Sequence, residues 1–297
     1  MHIPVLLNKV IEILDPKPGE FIIDGTIDGC GYAKTILERL NSRGKFLGLD
    51  LDEEMVKRAT RLLNGYAQRG VRIFLENGSF SEIVQILEKK QLGKANGLVL
   101  DLGLSSEQIE ESGRGFSFKK DEPLLMTYST EQTPLKVLLK ILTEAELANI
   151  IRKYSQEKFA ARIAKAIKDY EIRKSIQTSG ELAKIIGGAV PKNYERGRIH
   201  PATRTFQALR IYANGELENL EALLKNIPAM LKVGGRIVIV SFHSLEDRLV
   251  KNYFRNFAKV GILKILTRKP ITASSEELKL NPRSRSAKLR AAVVLKS

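Results

Sequence analysis

The stretch Phe21-Ile-Ile-Asp-Gly-Thr-Ile-Asp-Gly-Cys-Gly31 decides the fold. Its first three residues are apolar and predict a buried strand, and three glycines follow before a helical pattern over 32–40. A strand that ends in an acid and opens through glycines onto a helix is typical of a nucleotide-cofactor site, because a backbone without Cβ atoms permits close approach. A tight structural turn has the same pattern, so this motif alone leaves both interpretations open.

Three further apolar runs in the chain each end in a short polar residue. They are 45–49 with Asp50, 97–100 with Asp101, and 236–240 with Ser241. In an open parallel sheet the ligand crevice lies outside the carboxyl ends of the strands. We therefore expect these three side chains to share one pocket with Asp24.

The composition indicates a folded, basic protein. Its 297 residues are 43% apolar, and 49 Lys and Arg against 34 Asp and Glu give a net charge of +15. This charge favours a polyanionic partner such as nucleic acid or an anionic membrane surface, although a well-solvated basic enzyme also fits.

The cysteine count and the N-terminal sequence indicate the cellular compartment. Cys30 is the only cysteine, so an internal disulfide is excluded, and we expect no metal because no Cys/His cluster has ligand spacing. The first 14 residues lack a basic leader and a long apolar block. We expect a soluble cytoplasmic protein without a membrane span.

The spacing of strands predicts a discontinuous main domain. Strand and helix patterns alternate as far as Asp101, which is typical of a doubly wound α/β sheet. The next clear strand begins at Arg236, whereas a crossover needs only about a dozen residues, so most of the intervening segment is an insertion. Helical spacing recurs there over 135–142, 145–151, 159–167 and 182–190. We predict a main domain of residues 1–112 and 214–297 and a helical insertion of residues 113–213.

The C-terminal pattern predicts further elements of the main domain. A helix over 216–231 leads through a turn at Gly234 and Gly235 into the fifth strand, and a helix over 244–257 follows. Two final strands are predicted over 262–266 and 291–295, with a polar loop between them.

The acids of the first turn favour one cofactor over another. Asp50 lies 26 residues after Asp24, where an acid binds the ribose hydroxyls of either a nicotinamide dinucleotide or S-adenosylmethionine. Asp24 and Asp28 would repel a pyrophosphate but attract the cationic sulfonium and amino groups of S-adenosylmethionine. We therefore predict S-adenosylmethionine, although Asp24 also fits a loop acid that bonds backbone amides.

Seven ordered blocks carry a resemblance to one family. They are His2-Ile-Pro-Val-Leu-Leu7, Asp24-Gly-Thr26, Asp101-Leu-Gly-Leu-Ser-Ser106 with Gln108, Arg114-Gly-Phe-Ser-Phe118, His200-Pro-Ala-Thr-Arg-Thr-Phe-Gln207, Ser241-Phe-His-Ser-Leu-Glu-Asp-Arg248 and Asn281-Pro-Arg-Ser-Arg-Ser286. Over essentially its whole length the chain resembles the bacterial small-subunit rRNA cytosine-N4 methyltransferases, RsmH (MraW). The resemblance implies a class I (Rossmann-like) S-adenosylmethionine-dependent methyltransferase sheet with an inserted helical subdomain that recognises substrate. It also implies methylation of the exocyclic N4 of a cytidine in the decoding centre of 16S rRNA, within the small ribosomal subunit.

The same resemblance implies the cofactor contacts. Together with Asp24 they are Cys30, Gly31, Tyr32, Asp50, Phe80, Asp101 and Gln108. The ring of Phe80 suits stacking on adenine or packing in the core.

Three stretches depart from the family pattern. Asp28-Gly-Cys-Gly-Tyr32 stands where the family usually has Gly-Gly-Gly-Gly-His, Leu124-Leu-Met-Thr-Tyr-Ser129 where it has Leu-Asp-Met-Arg-Met-Asp, and Ser155-Gln156-Glu157 where it has Gly-Glu-Glu.

Three residues are candidates for catalysis. Asp101 is the leading candidate to accept a hydrogen bond from the target amine, since alignment and acceptors are the main needs of a weakly nucleophilic cytosine N4. His243 is a candidate for proton handling or base recognition, although a lone histidine is more often structural. Ser105 either positions the base or caps the following helix.

The RNA side is predicted from aromatic and basic residues. Phe116, Phe118 and Tyr128 either support a splayed base or pack the insertion. Candidate phosphate contacts, which also fit an ordinary solvated face, are Arg114, Arg204, Arg283, Arg285, Lys288 and Arg290. A homodimer is a candidate assembly. The alternatives to an active methyltransferase are a diverged, weakly active RNA-binding relative and a nicotinamide-dependent oxidoreductase.

Overall fold

The chain divides into two compact units. A computed structural model of the protein describes residues 4–104, 108–109, 112–194 and 199–296. One unit, the sheet unit, comprises Met1–Gly103 and Leu217–Ser297, and the other, the helical unit, comprises Leu104–Glu216. The sequence pattern puts the two boundaries at 112/113 and 213/214, whereas the compact units meet at 103/104 and 216/217.

The first part of the sheet unit alternates strands and helices. Its elements are α1 (Leu7–Leu14), β1 (Phe21–Asp24), α2 (Gly31–Leu40), β2 (Lys45–Asp50), α3 (Glu53–Gln68), β3 (Arg72–Asn77), α4 (Ile83–Lys89) and β4 (Ala95–Asp101). Asp52 caps α3 by accepting a hydrogen bond from the Glu54 amide. A capping box of Ser79 and Glu82 opens the 3-10 turn that precedes α4.

Five helices of the helical unit lie wholly within its described residues. They are α5 (Leu135–Ile141), α6 (Glu144–Ser155), α7 (Ala160–Arg173), α8 (Ser179–Ala189) and α9 (Ala202–Asn214). The four helices predicted from apolar spacing correspond to α5, α6, α7 and α8. Thr143 and Glu146 form a second capping box at the start of α6, which fixes that boundary locally.

The C-terminal part completes the sheet, with three differences from the sequence prediction. Its elements are α10 (Glu216–Lys225), α11 (Ile227–Met230), β5 (Leu231–Ser241), α12 (Ser244–Lys259), β6 (Leu263–Ile265), α13 (Ser275–Leu280) and β7 (Lys288–Val294). The single predicted helix over 216–231 is wrong, because a new short helix starts after Asn226 with Pro228 in its first turn. Gly234 and Gly235 lie inside β5 rather than before it. The predicted polar loop contains α13.

The seven strands form one mixed sheet in the order β3-β2-β1-β4-β5-β7-β6. The first five pair in parallel, and β7 runs antiparallel between β5 and β6. Two apolar cores cover the two faces, and Phe21 and Ile23 of β1 face one core while Ile22 faces the other. This arrangement confirms the predicted Rossmann-like class I sheet. Among the described residues no helix is long and apolar enough to cross a bilayer.

Candidate functional site

Backbone and side-chain hydrogen bonds join the carboxyl ends of three parallel strands. The Asp101 amide at the end of β4 donates to Thr26 Oγ1 at 2.7 Å, and the Gly25 amide donates to the Val99 carbonyl at 3.0 Å. The Asp28 amide donates to Asp50 Oδ2 at the end of β2, at 3.1 Å. These bonds bring together Asp24, Asp28, Asp50 and Asp101, which we call the acidic cluster.

Asp24 is the most deeply buried member of the acidic cluster. It is 1% exposed, its Oδ1 accepts a hydrogen bond from the Thr26 amide, and its buried Oδ2 has no partner among the described residues. Burial, reinforced by the charges of Asp50 and Asp28, raises the pKa of the Asp24 carboxyl well above its ordinary value. Oδ1 of Asp24 thus binds the backbone of the turn, and Oδ2 can accept a hydrogen bond from a ligand.

Asp50 is held in place by two amides. Its Oδ1 accepts from the Asp52 amide at 2.9 Å and its Oδ2 from the Asp28 amide at 3.1 Å. Burial raises the pKa of Asp50 to about 7 in spite of these two bonds. Because a carboxylate oxygen has two lone pairs, each oxygen retains the capacity to accept a ribose hydroxyl.

Asp101 presents a second buried oxygen without a partner. Its Oδ1 has none among the described residues, although the residue as a whole is half-buried. Burial raises the pKa of the Asp101 carboxyl well above its ordinary range, and the charges of Asp28 and Asp24 add to the effect. A desolvated carboxyl beside two other carboxyls is suited to a cationic or N–H-bearing ligand.

The N-terminal segment, residues 4–6, packs on the glycine turn. A Cβ built on Gly31 would lie 2.0 Å from Cγ of Pro4, so a side chain at this position would displace the segment. The buried hydroxyl of Tyr32 donates to the Val5 carbonyl. The Leu6 amide donates to Glu277 Oε1 of α13 at 2.6 Å. Hydrogen bonds at Val5 and Leu6 therefore fix the segment beside the turn, and no local sequence pattern predicts these contacts.

The glycines of the turn serve internal packing. At Gly25 a Cβ would lie 2.4 Å from Leu100 Cδ2 and 3.2 Å from Phe80 Cβ. Gly25 and Gly31 thus accommodate the protein's own side chains, and the close approach of a cofactor to these glycines stays a prediction.

The whole chain matches one known family. The sequence model of the MraW methylase family matches residues 1–295. The chain belongs to the MraW methylase family. The predictions of a methyltransferase and of S-adenosylmethionine as its cofactor are thereby confirmed, and the two alternative functions are not favoured.

Similar curated proteins share the full length of the methylase. Ribosomal RNA small subunit methyltransferase H of Geobacter sp. (strain M21) is 44% identical and covers 97% of each chain. The protein of that name from Syntrophotalea carbinolica is 40% identical over 98% of this chain and 96% of its own. The solved structure of NSun6 from Pyrococcus horikoshii aligns with 99% of this chain and 53% of its own, at 11% identity and a TM-score of 0.47.

The residues of the acidic cluster fit the cofactor. S-adenosylmethionine carries a sulfonium and an ammonium group, and both are stabilised by carboxylates in a desolvated site. The partnerless oxygens of Asp24 and Asp101 supply two such acceptors. A diphosphate would meet the same carboxylates unfavourably.

The departures from the family pattern in this turn fall on strained positions. Asp28 and Cys30 have φ of +34° and +61°, a region that favours glycine, and the family usually has glycine at both. Cys30 is fully buried, and burial raises the pKa of its thiol to about 12, so the thiol is not a reactive group.

Other predicted cofactor residues lie in different surroundings. Phe80 is half-buried and packs against one core of the sheet. Gln108 belongs to the helical unit and is 6% exposed. The predicted fourth strand-end group, Ser241, instead donates to the Lys288 carbonyl at 3.3 Å. Ser105 lies outside the described residues.

His243 caps α12. Its Nδ1 accepts a hydrogen bond from the Glu246 amide at 3.3 Å, while its own amide donates to Glu246 Oε2 at 3.1 Å. Nε2 lies 3.1 Å from Glu246 Oε1. With Nδ1 committed to the cap, this arrangement supports a positioning role for His243 rather than proton transfer.

The six basic residues predicted to bind RNA differ in their burial and in their partners. Arg290 is 8% exposed and its Nε lies 2.6 Å from Asp247 Oδ1, so its prediction as a phosphate contact is corrected to a buried ion pair. The Arg114 guanidinium donates to the Tyr128 carbonyl at 2.7 Å, and half-buried Lys288 lies 3.6 Å from Asp247 Oδ2. Arg204 is half-buried on α9, whereas Arg283 and Arg285 are exposed.

The altered loop 124–129 is held by its own network within the helical unit. Buried Asn214 donates to the Met126 carbonyl and accepts from the Tyr128 amide. The Tyr128 hydroxyl donates to Glu216 Oε1 at 2.8 Å, and Arg210 binds both oxygens of Glu216. The Tyr128 ring stacks on Phe116 at 5.5 Å between centroids. These contacts favour packing of the insertion as the role of both rings.

Proposed function

We propose that this methylase transfers a methyl group from S-adenosylmethionine to the exocyclic N4 of a cytidine in the decoding centre of 16S rRNA. The curated relatives with 40–44% identity are named for methylation of small-subunit rRNA, and they match nearly the whole chain. The observation that carries the proposal is the acidic cluster with partnerless oxygens on Asp24 and Asp101.

Asp24 and Asp50 are proposed to hold the cofactor, Asp24 through its free Oδ2 toward the cationic groups and Asp50 toward the ribose. Cys30, Gly31, Tyr32, Phe80 and Gln108 remain proposed contacts. When bound, S-adenosylmethionine supplies an electrophilic methyl group on a cationic sulfur.

Asp101 is proposed to act on the target base. Cytosine N4 is weakly nucleophilic because its lone pair is delocalised into the ring, so alignment of the amine is the main requirement. The carboxylate of Asp101 accepts an N–H bond from the amine, which orients the remaining lone pair and stabilises the positive charge that develops on nitrogen. Asp101 or solvent takes the proton that N4 loses. Ser105 is proposed to position the base, and the helical unit to recognise the surrounding RNA.

The substrate is proposed to be the small ribosomal subunit in the bacterial cytoplasm. A homodimer stays a prediction without a structural argument. The proposal is tested by incubating the protein with S-adenosylmethionine labelled in its methyl group and small subunits that lack this methylation, followed by mapping of the modified base. We expect label on N4 of one cytidine. Label on another atom or nucleotide, or no label at all, contradicts the proposal.

A further inference from the structure

The positive charge of the sheet unit is concentrated in its last segment. Residues 251–297 contain 12 Lys and Arg but only two acids, Glu276 and Glu277. The rest of that unit, residues 1–103 and 217–250, has 18 Lys and Arg against 18 Asp and Glu. The helical unit has 19 against 14. A polyanion is therefore attracted most strongly to the C-terminal segment.

A bulge beside β7 presents two cations of this segment. Ile265 pairs with Ala292, and Ile271 pairs with Leu289. The chain advances six residues from Ile265 to Ile271, while β7 advances only three from Leu289 to Ala292. The extra chain, which contains Arg268 and Lys269, must leave the ladder. Both side chains are exposed.

The bulge is anchored firmly at its two ends. Buried Thr267 accepts a hydrogen bond from the Ala291 amide through its Oγ1 at 2.9 Å. Ile271 and Leu289 exchange two backbone bonds of 3.0 and 2.8 Å. Arg268 and Lys269 thus project from an ordered backbone, which lowers the entropy lost when they bind.

A second pair of cations lies at the start of the same strand. The 3-10 turn Pro282–Ser286 buries Ser284, whose hydroxyl donates to the Asn281 carbonyl at 2.7 Å. The flanking side chains, Arg283 and Arg285, are exposed. This turn ends three residues before Leu289, the residue that pairs with the end of the bulge. The two basic segments therefore meet at one end of β7.

The two acids of the segment and Asp247 have partners of their own. Glu277 accepts a hydrogen bond from the Leu6 amide, Glu276 Oε2 accepts one from the Ser274 hydroxyl at 3.2 Å, and the Asp247 carboxylate pairs with buried Arg290. Within the part of the chain that the structure describes, no carboxylate lies within ion-pair distance of Arg268, Lys269 or Arg285. These cations are available to an external anion.

We propose that Arg268 and Lys269, together with Arg283 and Arg285, form a phosphate-binding surface for RNA, here called the β7 basic surface. This proposal rests on the proposed function for the identity of the RNA. Contacts of this kind position the enzyme on the RNA backbone and carry no sequence information. The β7 basic surface thus assigns backbone binding to the sheet unit itself, in addition to any role of the helical unit.

The test compares two pairs of charge removals. The double variant R268Q/K269Q changes the β7 basic surface. The matched control is R61Q/R69Q, which removes one exposed cation from α3 and one from its C-cap, beside the opposite edge of the sheet. Binding to a 16S rRNA fragment and to small subunits is measured by anisotropy and sedimentation between 50 and 300 mM salt, chosen to span roughly physiological ionic strength.

We expect R268Q/K269Q to bind about tenfold more weakly or worse at low salt, with a salt slope about 1–2 smaller than that of the unaltered protein. The control should keep both values. Equal slopes for the three proteins, or RNA affinity that is lost equally in the control, overturn the proposal. The proposal is also overturned if R268Q/K269Q binds vesicles of anionic lipid more weakly than the unaltered protein does but binds RNA equally well.

Failure of the proposed function has a separate signature. Methyl transfer is assayed on the same subunits, and affinity for S-adenosylmethionine is measured by calorimetry. Salt-dependent RNA binding that changes only in R268Q/K269Q, without any methylation of 16S rRNA, supports the β7 basic surface and contradicts the proposed function. Normal methylation of 16S rRNA, with the same salt slope of RNA binding in all three proteins, supports the proposed function and contradicts the β7 basic surface.

Discussion

The acidic cluster and the β7 basic surface belong to the same unit but treat charge in opposite ways. The acidic cluster gathers four carboxyls in a desolvated place, and among the described residues Oδ2 of Asp24 and Oδ1 of Asp101 have no partner. The β7 basic surface exposes its cations to water on an ordered backbone. Buried charges are weakly screened and select a small ligand of matching charge and shape, whereas exposed charges attract an extended polyanion and weaken with salt. Burial, more than sign, decides which kind of partner each region suits.

The largest expected effect is on Asp101. Asp101→Asn keeps the size of the side chain but removes the anionic acceptor, so we expect the rate of methyl transfer to fall roughly 100-fold. The dissociation constant for S-adenosylmethionine should change by much less. Single-turnover kinetics and calorimetry measure the two quantities separately.

His243→Asn is the contrast for Asp101→Asn. Asparagine also caps helices well, so we expect a transfer rate within about threefold of that of the unaltered protein. Equal losses of rate and of cofactor affinity in Asp101→Asn would contradict its role at the amine.

The next effect concerns Asp24. Asp24→Asn keeps the size of a buried side chain whose Oδ2 has no partner among the described residues, so the free energy of unfolding without cofactor should change by no more than about 1 kcal/mol. Affinity for S-adenosylmethionine should nevertheless fall about tenfold or more, because a charged acceptor is lost in a desolvated site. Thermal unfolding and calorimetry provide the two values.

Asp52→Asn is the matched control for Asp24→Asn. It also removes a buried charge, but the cap of α3 survives. Affinity that falls as much in Asp52→Asn as in Asp24→Asn would show that general charge, rather than the free oxygen of Asp24, holds the cofactor.

The acidic cluster should also make cofactor binding depend on pH. The Asp50 pKa of about 7 lies above its ordinary value of 3.8, so between about pH 4 and 7 the folded protein holds a proton that the unfolded chain has already released. This group therefore destabilises the free protein progressively as pH rises through that window. A cationic ligand favours the carboxylate, so affinity for S-adenosylmethionine should rise with pH up to about 7, by at most tenfold per unit for each proton released.

Calorimetry at pH 6 and pH 8, in buffers of different ionisation enthalpy, counts the released protons. Asp50→Asn should remove part of the release. A constant affinity over this range, with no proton released, would mean that the acidic cluster is already ionised in the free protein.

The smallest effect is expected at Glu277. Glu277→Gln weakens the charge-assisted bond to the Leu6 amide by about 1 kcal/mol, which corresponds to roughly fivefold weaker fixation of residues 4–6 on the turn. We expect faster amide exchange in the N-terminal segment and a few-fold loss of cofactor affinity. Glu276→Gln, one position earlier and exposed, is the control. Faster exchange with unchanged affinity would separate the N-terminal segment from the cofactor site.

Much of the fold and of the acidic cluster could be predicted from local sequence. Apolar runs that end in an acid located β1, β2 and β4, because the pattern of a strand depends on neighbours a few residues apart. The entry of Gly234 into β5 was not predicted, since the pairing of β5 with β4 extends the strand backward. The break at Asn226 has a local signal in Pro228, through which the predicted helix over 216–231 runs.

What the sequence by itself determined is the order of elements, the acids at the strand ends and the excess of positive charge in the last segment. Only the tertiary structure decided which groups are used internally. Leu6 meets Glu277 across 271 positions, and Arg290 is withdrawn from solvent by Asp247 across 43. The register of β7 alone brings Arg268 and Lys269 beside the turn of Arg283 and Arg285. Burial and pairing between distant residues are properties of the packed chain, and the local pattern contains no record of them.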